Sequence, residues 1–151
     1  MPRLYVDGSP KRLAYVLDGG GSGYQELRQE VTSMEAEYLS IIYGLNEYFL
    51  KWNKELDERA SDIDREHSMR VNETIFADIA SPSGQTKRPL PPPVLVLNDN
   101  ETVVMQLNRL YHIGNPKLRK LAQQVWSMTE NIQVKFEWIS RRKNPAGKML
   151  K

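Results

Sequence analysis

Cysteine is absent, so disulfides and thiolate metal sites are excluded. Nothing then calls for an oxidising compartment, and the cytosol is the expected location. No apolar run is long enough to span a bilayer. The first ten residues, MPRLYVDGSP, pass straight into strand-like alternation, so no signal peptide is expected. Acidic charge becomes scarce toward the C-terminus. Residues 1–50 carry four basic and seven acidic side chains, residues 51–86 five and eight, and residues 87–151 twelve and four. A basic half folded against an acidic half would set phosphate-binding surface beside carboxylates, although a solvated basic surface has the same composition. What is present is a chain of 151 residues with 40% hydrophobic content, suited to one domain with a real core.

The first part of the chain reads as strands. From Arg3 to Asp7, Leu4 and Val6 alternate with Tyr5 and Asp7, and Gly8-Ser9-Pro10 breaks the run. Leu13 to Leu17 forms a second strand, residues 18–23 a glycine-rich turn, and Tyr24 to Val31 a third strand. The three are expected to pair as an antiparallel meander. Thr32-Ser33-Met34-Glu35 then fits a capping box, opening a helix with Ala36, Leu39, Ile42, Tyr43 and Phe49 at helical spacing. It is expected to reach about Leu50 or beyond. Lys51 to Glu66 is heavily charged, and residues 81–93 are proline-rich and read as a linker.

Val94 to Leu97 is wholly apolar, as expected of a strand covered on both faces in a parallel sheet. Helices follow over Glu101 to Leu110 and Lys117 to about Asn131. The second carries Leu118, Leu121, Ala122, Val125 and Trp126 on one stripe. Val134, Phe136 and Trp138 alternate as a last strand. Trp126 and Trp138 are expected in the core, and Tyr5, Tyr38 and Tyr43 in packing. The order implies an α/β fold: a mixed five-stranded sheet, three antiparallel strands followed by two parallel ones, with helices on its faces.

Three carboxylates occupy unusual places. Asp7 ends the first strand, and Asp99 lies just past the most buried-looking one. Ligand sites in open α/β sheets form beyond the carboxyl ends of strands, so parallel neighbours would bring the two acids together. Glu37 borders the apolar stripe of the capped helix, where a carboxylate is costly unless paired or metal-bound. Clustered carboxylates repel one another, and a hard divalent cation such as Mg²⁺ or Mn²⁺ resolves the repulsion. Each acid also has an ordinary reading: a turn aspartate at Asp7, a helix N-cap at Asp99, an exposed first-turn acid at Glu37.

The same residues resemble the type 1 ribonuclease H family over residues 3–50 and 94–147. Leu4-Tyr5-Val6-Asp7-Gly8-Ser9 is similar to its first-strand motif, and Thr32-Ser33-Met34-Glu35-Ala36-Glu37 to its helix-start motif. Val96 to Glu101 is similar to its third motif, and Trp138 to Asn144 to the strand and loop before its fourth acidic residue. The resemblance implies a single ribonuclease H-like domain over 1–151, with an insertion or linker at about 51–92. It implies Asp7, Glu37 and Asp99 as catalytic metal ligands for Mg²⁺ or Mn²⁺. Gly8, Ser9, Thr32, Ser33, Asn100, Glu101, Arg141, Arg142 and Asn144 would line the substrate groove. The implied substrate is an RNA–DNA hybrid, cut in its RNA strand by a two-metal-ion mechanism. The pattern departs from the family where Asn144-Pro145-Ala146 leads to Gly147 and Lys148, so the fourth carboxylate is missing, and no histidine lies near that loop. A second reading is therefore a catalytically weakened or inactive nucleic-acid-binding module. A third, phosphoryl transfer through Asp7, would want an acid where Ser9 stands.

Overall fold

The computed structural model describes residues 1–67 and 90–151, with residues 61–67 described by their backbone alone. The strands are β1 (Arg3–Ser9), β2 (Arg12–Leu17), β3 (Gly21–Glu26), β4 (Val94–Asn98) and β5 (Val134–Trp138). Among the described residues the helices are α1 (Ser33–His67), α2 (Glu101–Leu107), α3 (Pro116–Met128) and α4 (Pro145–Lys148), with a 3₁₀ turn over Arg141–Lys143. The chain forms two compact units. One comprises Met1–Tyr48 and Pro92–Lys151, and holds the whole sheet. The other is Phe49–Pro91, which begins with the C-terminal part of α1. The linker reading of residues 81–93 falls largely on residues 68–89, outside those described.

The sheet order is β3-β2-β1-β4-β5. β1 pairs antiparallel with β2, and β2 with β3. β4 lies parallel to both β1 and β5. β4 is an interior strand, paired on both sides and covered, which accounts for its unbroken apolar run, with Val94 and Val96 buried. Alternation along β1 sends Leu4, Val6 and Gly8 to one face, toward α1. A Cβ on Gly8 would stand 2.2 Å from the Ala36 carbonyl oxygen, and one on Gly44 would stand 2.6 Å from Val6 Cγ1. Two glycines, one on each element, thus let α1 approach β1 closely. The opposite face carries Asp7, and α4 packs there with its Gly147 against Asp7.

Several boundaries differ from expectation. β3 begins inside the glycine-rich segment and ends at Glu26, rather than spanning Tyr24 to Val31. Pairing with β2 fixes this register, Leu17 opposite Gly21 and Arg12 opposite Glu26. The reversal is confined to Asp18–Gly20, with φ of 68° at Gly19 and 100° at Gly21. α2 stops at Leu107 instead of Leu110, and Arg109 with φ 62° turns the chain away. α3 ends at Met128, where Thr129 caps it through backbone bonds to Trp126 and Val125. Trp138 is not core. It is 53% exposed on β5, at the edge of the sheet, with its indole N–H donated to the Asp99 carbonyl at 3.1 Å. Trp126 is half-buried, under the Arg109 guanidinium at 3.9 Å. Tyr38 is fully buried and donates to Gln106 Oε1 at 2.6 Å, and Tyr43 meets Tyr15 edge to face.

Candidate metal centre

Asp7, Glu37 and Asp99 come together from β1, α1 and the residue after β4. One carboxylate oxygen from each lies within 4.8 Å of the others. Asp7 and Glu37 are 9% and 7% exposed, so water does little to separate their charges. The geometry follows from the pairing of β1 with β4. Their register runs from Arg3 opposite Leu95 to Tyr5 opposite Leu97 and then stops, while β1 continues to Ser9. The strands part at the level of Val6, and the acids line the crevice that opens there. Glu37 reaches it because Gly8 lets the first turns of α1 lie against β1.

Two buried asparagines fill the gap left by the splayed strands. Asn98 Nδ2 donates to the Val6 carbonyl at 3.1 Å, and Asn144 Nδ2 donates to the same oxygen at 3.0 Å. Asn98 Nδ2 also reaches Glu37 Oε2 at 2.6 Å, and its Oδ1 accepts from the Asn100 backbone at 2.9 Å. Sequence reasoning missed Asn98. Its signal was a polar residue closing an otherwise apolar strand, in phase with Val94 and Val96 and therefore aimed at α1.

Burial raises the Glu37 carboxyl to about 9, reinforced by the charge of Asp7 and opposed by the hydrogen bond from Asn98. Asp99 is also raised, chiefly by burial and then by Asp7, with the positive charge of Arg141 pulling the other way. Asp99 Oδ2 is buried and has no hydrogen-bond partner among the described residues. An all-oxygen donor set with an orphaned carboxylate oxygen, held in a partly buried cluster, fits a hard divalent cation.

The ordinary readings of the three acids fare unequally. Asp7 Oδ1 does accept a turn bond from Gly8 N–H at 2.9 Å, yet the side chain is buried. Asp99 is not the helix cap, because Asn100 caps α2 through Oδ1 and Val103 N–H at 3.1 Å. Glu37 is buried, not an exposed first-turn acid.

The remaining expected residues distribute around the crevice. Thr32 and Ser33 are exposed at the start of α1, and Thr32 Oγ1 accepts from Glu35 N–H at 3.2 Å, one half of the expected capping box. Gly8 serves helix packing, and the Ser9 hydroxyl donates to the Arg12 carbonyl at 3.3 Å. Asn100 is occupied by its cap and by Met34 Sδ at 3.4 Å, while Glu101 is exposed. Arg141 and Arg142 are exposed in the 3₁₀ turn. Asn144 departs from expectation. It is fully buried, its amide donating to the Val6 carbonyl, its side chain also hydrogen-bonding Asp99, and its oxygen capping α4 through Ala146 N–H at 3.2 Å, so it supports the site from within. A Cβ on Gly147 would stand 2.8 Å from Asp7 Oδ2. α4 therefore points a bare backbone position at the cluster, and Lys148 is exposed.

Comparison with solved structures gives many matches, three of which illustrate the likeness. Ribonuclease H1 from the halophilic archaeon Halobacterium salinarum NRC-1 superposes with a TM-score of 0.64 at 17% identity, covering 99% of this chain and 92% of that one. LC11-RNase H1, solved in complex with an RNA/DNA hybrid, superposes with a TM-score of 0.62 at 17% identity, covering both chains in full. The fold is that of the ribonuclease H-like family. The N-terminal RNase H domain of rv2228c from Mycobacterium tuberculosis superposes with a TM-score of 0.60 at 17% identity, covering 95% of this chain and 84% of that one. A family model described as reverse transcriptase-like matches residues 91–150. No curated protein matches the sequence. In this ribonuclease H-like fold the carboxylate cluster stands beyond the C-terminal end of β4, where parallel sheets place their ligand sites.

Proposed function

We propose that this protein is a metal-dependent endonuclease of the ribonuclease H type, cutting the RNA strand of RNA–DNA hybrids in the cytosol. The observation that carries the reading is the cluster itself: three carboxylates within 4.8 Å, with Asp99 Oδ2 buried and unpaired. The insertion at about 51–92 belongs to the same single domain in this reading.

Asp7, Glu37 and Asp99 would hold Mg²⁺ or Mn²⁺, and the ion would supply Lewis-acid chemistry for attack by water on the phosphodiester and charge neutralisation for the leaving oxygen. The chain's own residues do the rest. Asn98 and Asn144 fix the crevice floor through Val6, so the carboxylates meet the substrate already oriented. Arg141, exposed and close enough for its charge to act on Asp99, and the exposed Arg142 next to it in the chain bind the strand through its phosphates. The Thr32 and Ser33 hydroxyls and Glu101, exposed at the starts of α1 and α2, line the groove and contact sugar hydroxyls. Discrimination of RNA rests on the 2′-hydroxyl.

A second reading has a specific observation behind it. Gly147 faces Asp7 with no side chain, so α4 adds no fourth carboxylate. A hybrid-binding module without cleavage would fit that feature. A gel assay with labelled hybrid, with and without Mg²⁺ or Mn²⁺, separates the two. Metal-dependent cleavage lost in Asp7→Asn is the expected result. Tight hybrid binding with no cleavage under either ion would establish the binding module instead.

A further inference from the structure

The Glu37 carboxylate has two oxygens, and the structure treats them differently. Oε2 receives the Asn98 amide N–H at 2.6 Å. Asn98 is itself 1% exposed and held at both ends of its side chain, by the Val6 carbonyl on one side and the Asn100 N–H on the other. Its backbone carbonyl also accepts from Ile139 N–H at 3.0 Å, tying β4 to the chain just after β5. An amide fixed at so many points has little freedom to follow the carboxylate. The carboxylate must instead follow the amide.

We propose that Asn98 is a positioning residue for Glu37, taking one carboxylate oxygen so that the other alone is offered toward Asp7 and Asp99. Glu37 then serves a cation through a single oxygen in a fixed direction. The inference rests on the metal-site reading given above. The same amide reports the state of the sheet, because it bonds the Val6 carbonyl where β1 and β4 part. The side chain that directs the carboxylate is thereby also one of the two that bridge the parting strands. Hydrogen-bond partners of metal-binding side chains commonly matter about 10–100-fold in metal affinity.

The test is Mn²⁺ binding to the full chain, followed by the loss of the free-ion electron paramagnetic resonance signal, for wild type, Asn98→Ala, Glu37→Ala and the double variant. Asn98→Ala is expected to weaken Mn²⁺ about tenfold. In the Glu37→Ala background the same change is expected to alter affinity by less than about twofold, because the group it acts through is gone. A purely structural role for Asn98 would give the same penalty in both backgrounds, and that result overturns the inference. So does an unchanged affinity in Asn98→Ala. Asn98→Thr fills more of the buried volume and supplies the same comparison if the alanine variant does not fold. A wild-type chain with no saturable Mn²⁺ site defeats the metal-site reading and this inference with it. Saturable binding that ignores Asn98 defeats this inference alone.

Discussion

Replacing Glu37 with glutamine should stabilise the metal-free protein at neutral pH. Burial and the neighbouring Asp7 raise the Glu37 carboxyl from its ordinary 4.5 to about 9, so the folded state holds this proton far more tightly than the unfolded chain does. Below pH 4.5 both states carry the proton and the site costs nothing on this account. Above it the unfolded chain releases the proton while the folded chain keeps it, and stability falls as pH rises, until the folded group titrates near 9. At about 1.4 kcal/mol per pH unit, the loss accumulated by pH 7 is about 3 kcal/mol. Glutamine retains an oxygen for the Asn98 N–H and has no proton to surrender, so the variant escapes the penalty. For a chain of this size that corresponds to a melting temperature roughly 6–12 °C above wild type at pH 7 in EDTA. The gap should widen from pH 5 to pH 8. Saturating Mg²⁺ should close or reverse it, since the ion stabilises only a folded chain that can bind it. Thermal unfolding followed by circular dichroism across that pH range measures all three effects. A glutamine variant that melts at or below wild type in EDTA throughout would refute the reasoning.

Gly8→Ala would drive a methyl group against the Ala36 carbonyl, 2.2 Å away, and should destabilise the fold by about 3 kcal/mol, read from denaturant unfolding. Gly147→Ala sets a Cβ 2.8 Å from Asp7 Oδ2 and forces that carboxylate off its rotamer. A cost of about 0.5–1.5 kcal/mol should appear as a roughly two- to twelvefold loss of Mn²⁺ affinity with little change in melting temperature. Arg141→Ala should weaken hybrid binding and reduce the slope of log affinity against log salt by about 1, measured by fluorescence anisotropy over a salt series.

Much of this architecture was written in local pattern. The alternation over Leu4 and Val6, the apolar run Val94 to Leu97 and the capping sequence at Thr32 identified β1, β4 and the start of α1, because burial on one or both faces dictates residue type at a known period. Asp7 and Asp99 each had an ordinary reading alone, as turn aspartate and helix cap, and stood out only together, as acids ending two strands expected to be parallel neighbours. The edges of the elements were less legible. β3 is weakly apolar and its limits come from pairing with β2, a non-local contact, so its own residues did not mark where it begins. Trp138 looked like core by periodicity, but an edge strand has no neighbour on its outer side to cover it.

Residue types and their spacing put Asp7 and Asp99 at the ends of two strands of an expected mixed sheet and Glu37 at the start of a helix, and left no thiol chemistry available. Tertiary structure alone decided that they converge within 4.8 Å, that Asn98 holds one of them and that Asn144 lies beneath the crevice instead of along it. The physical reason is that these relations depend on where β1 and β4 part and how closely α1 approaches across Gly8. Local periodicity carries the direction of a side chain from its own strand or helix. The distance to a side chain on another element comes only from packing.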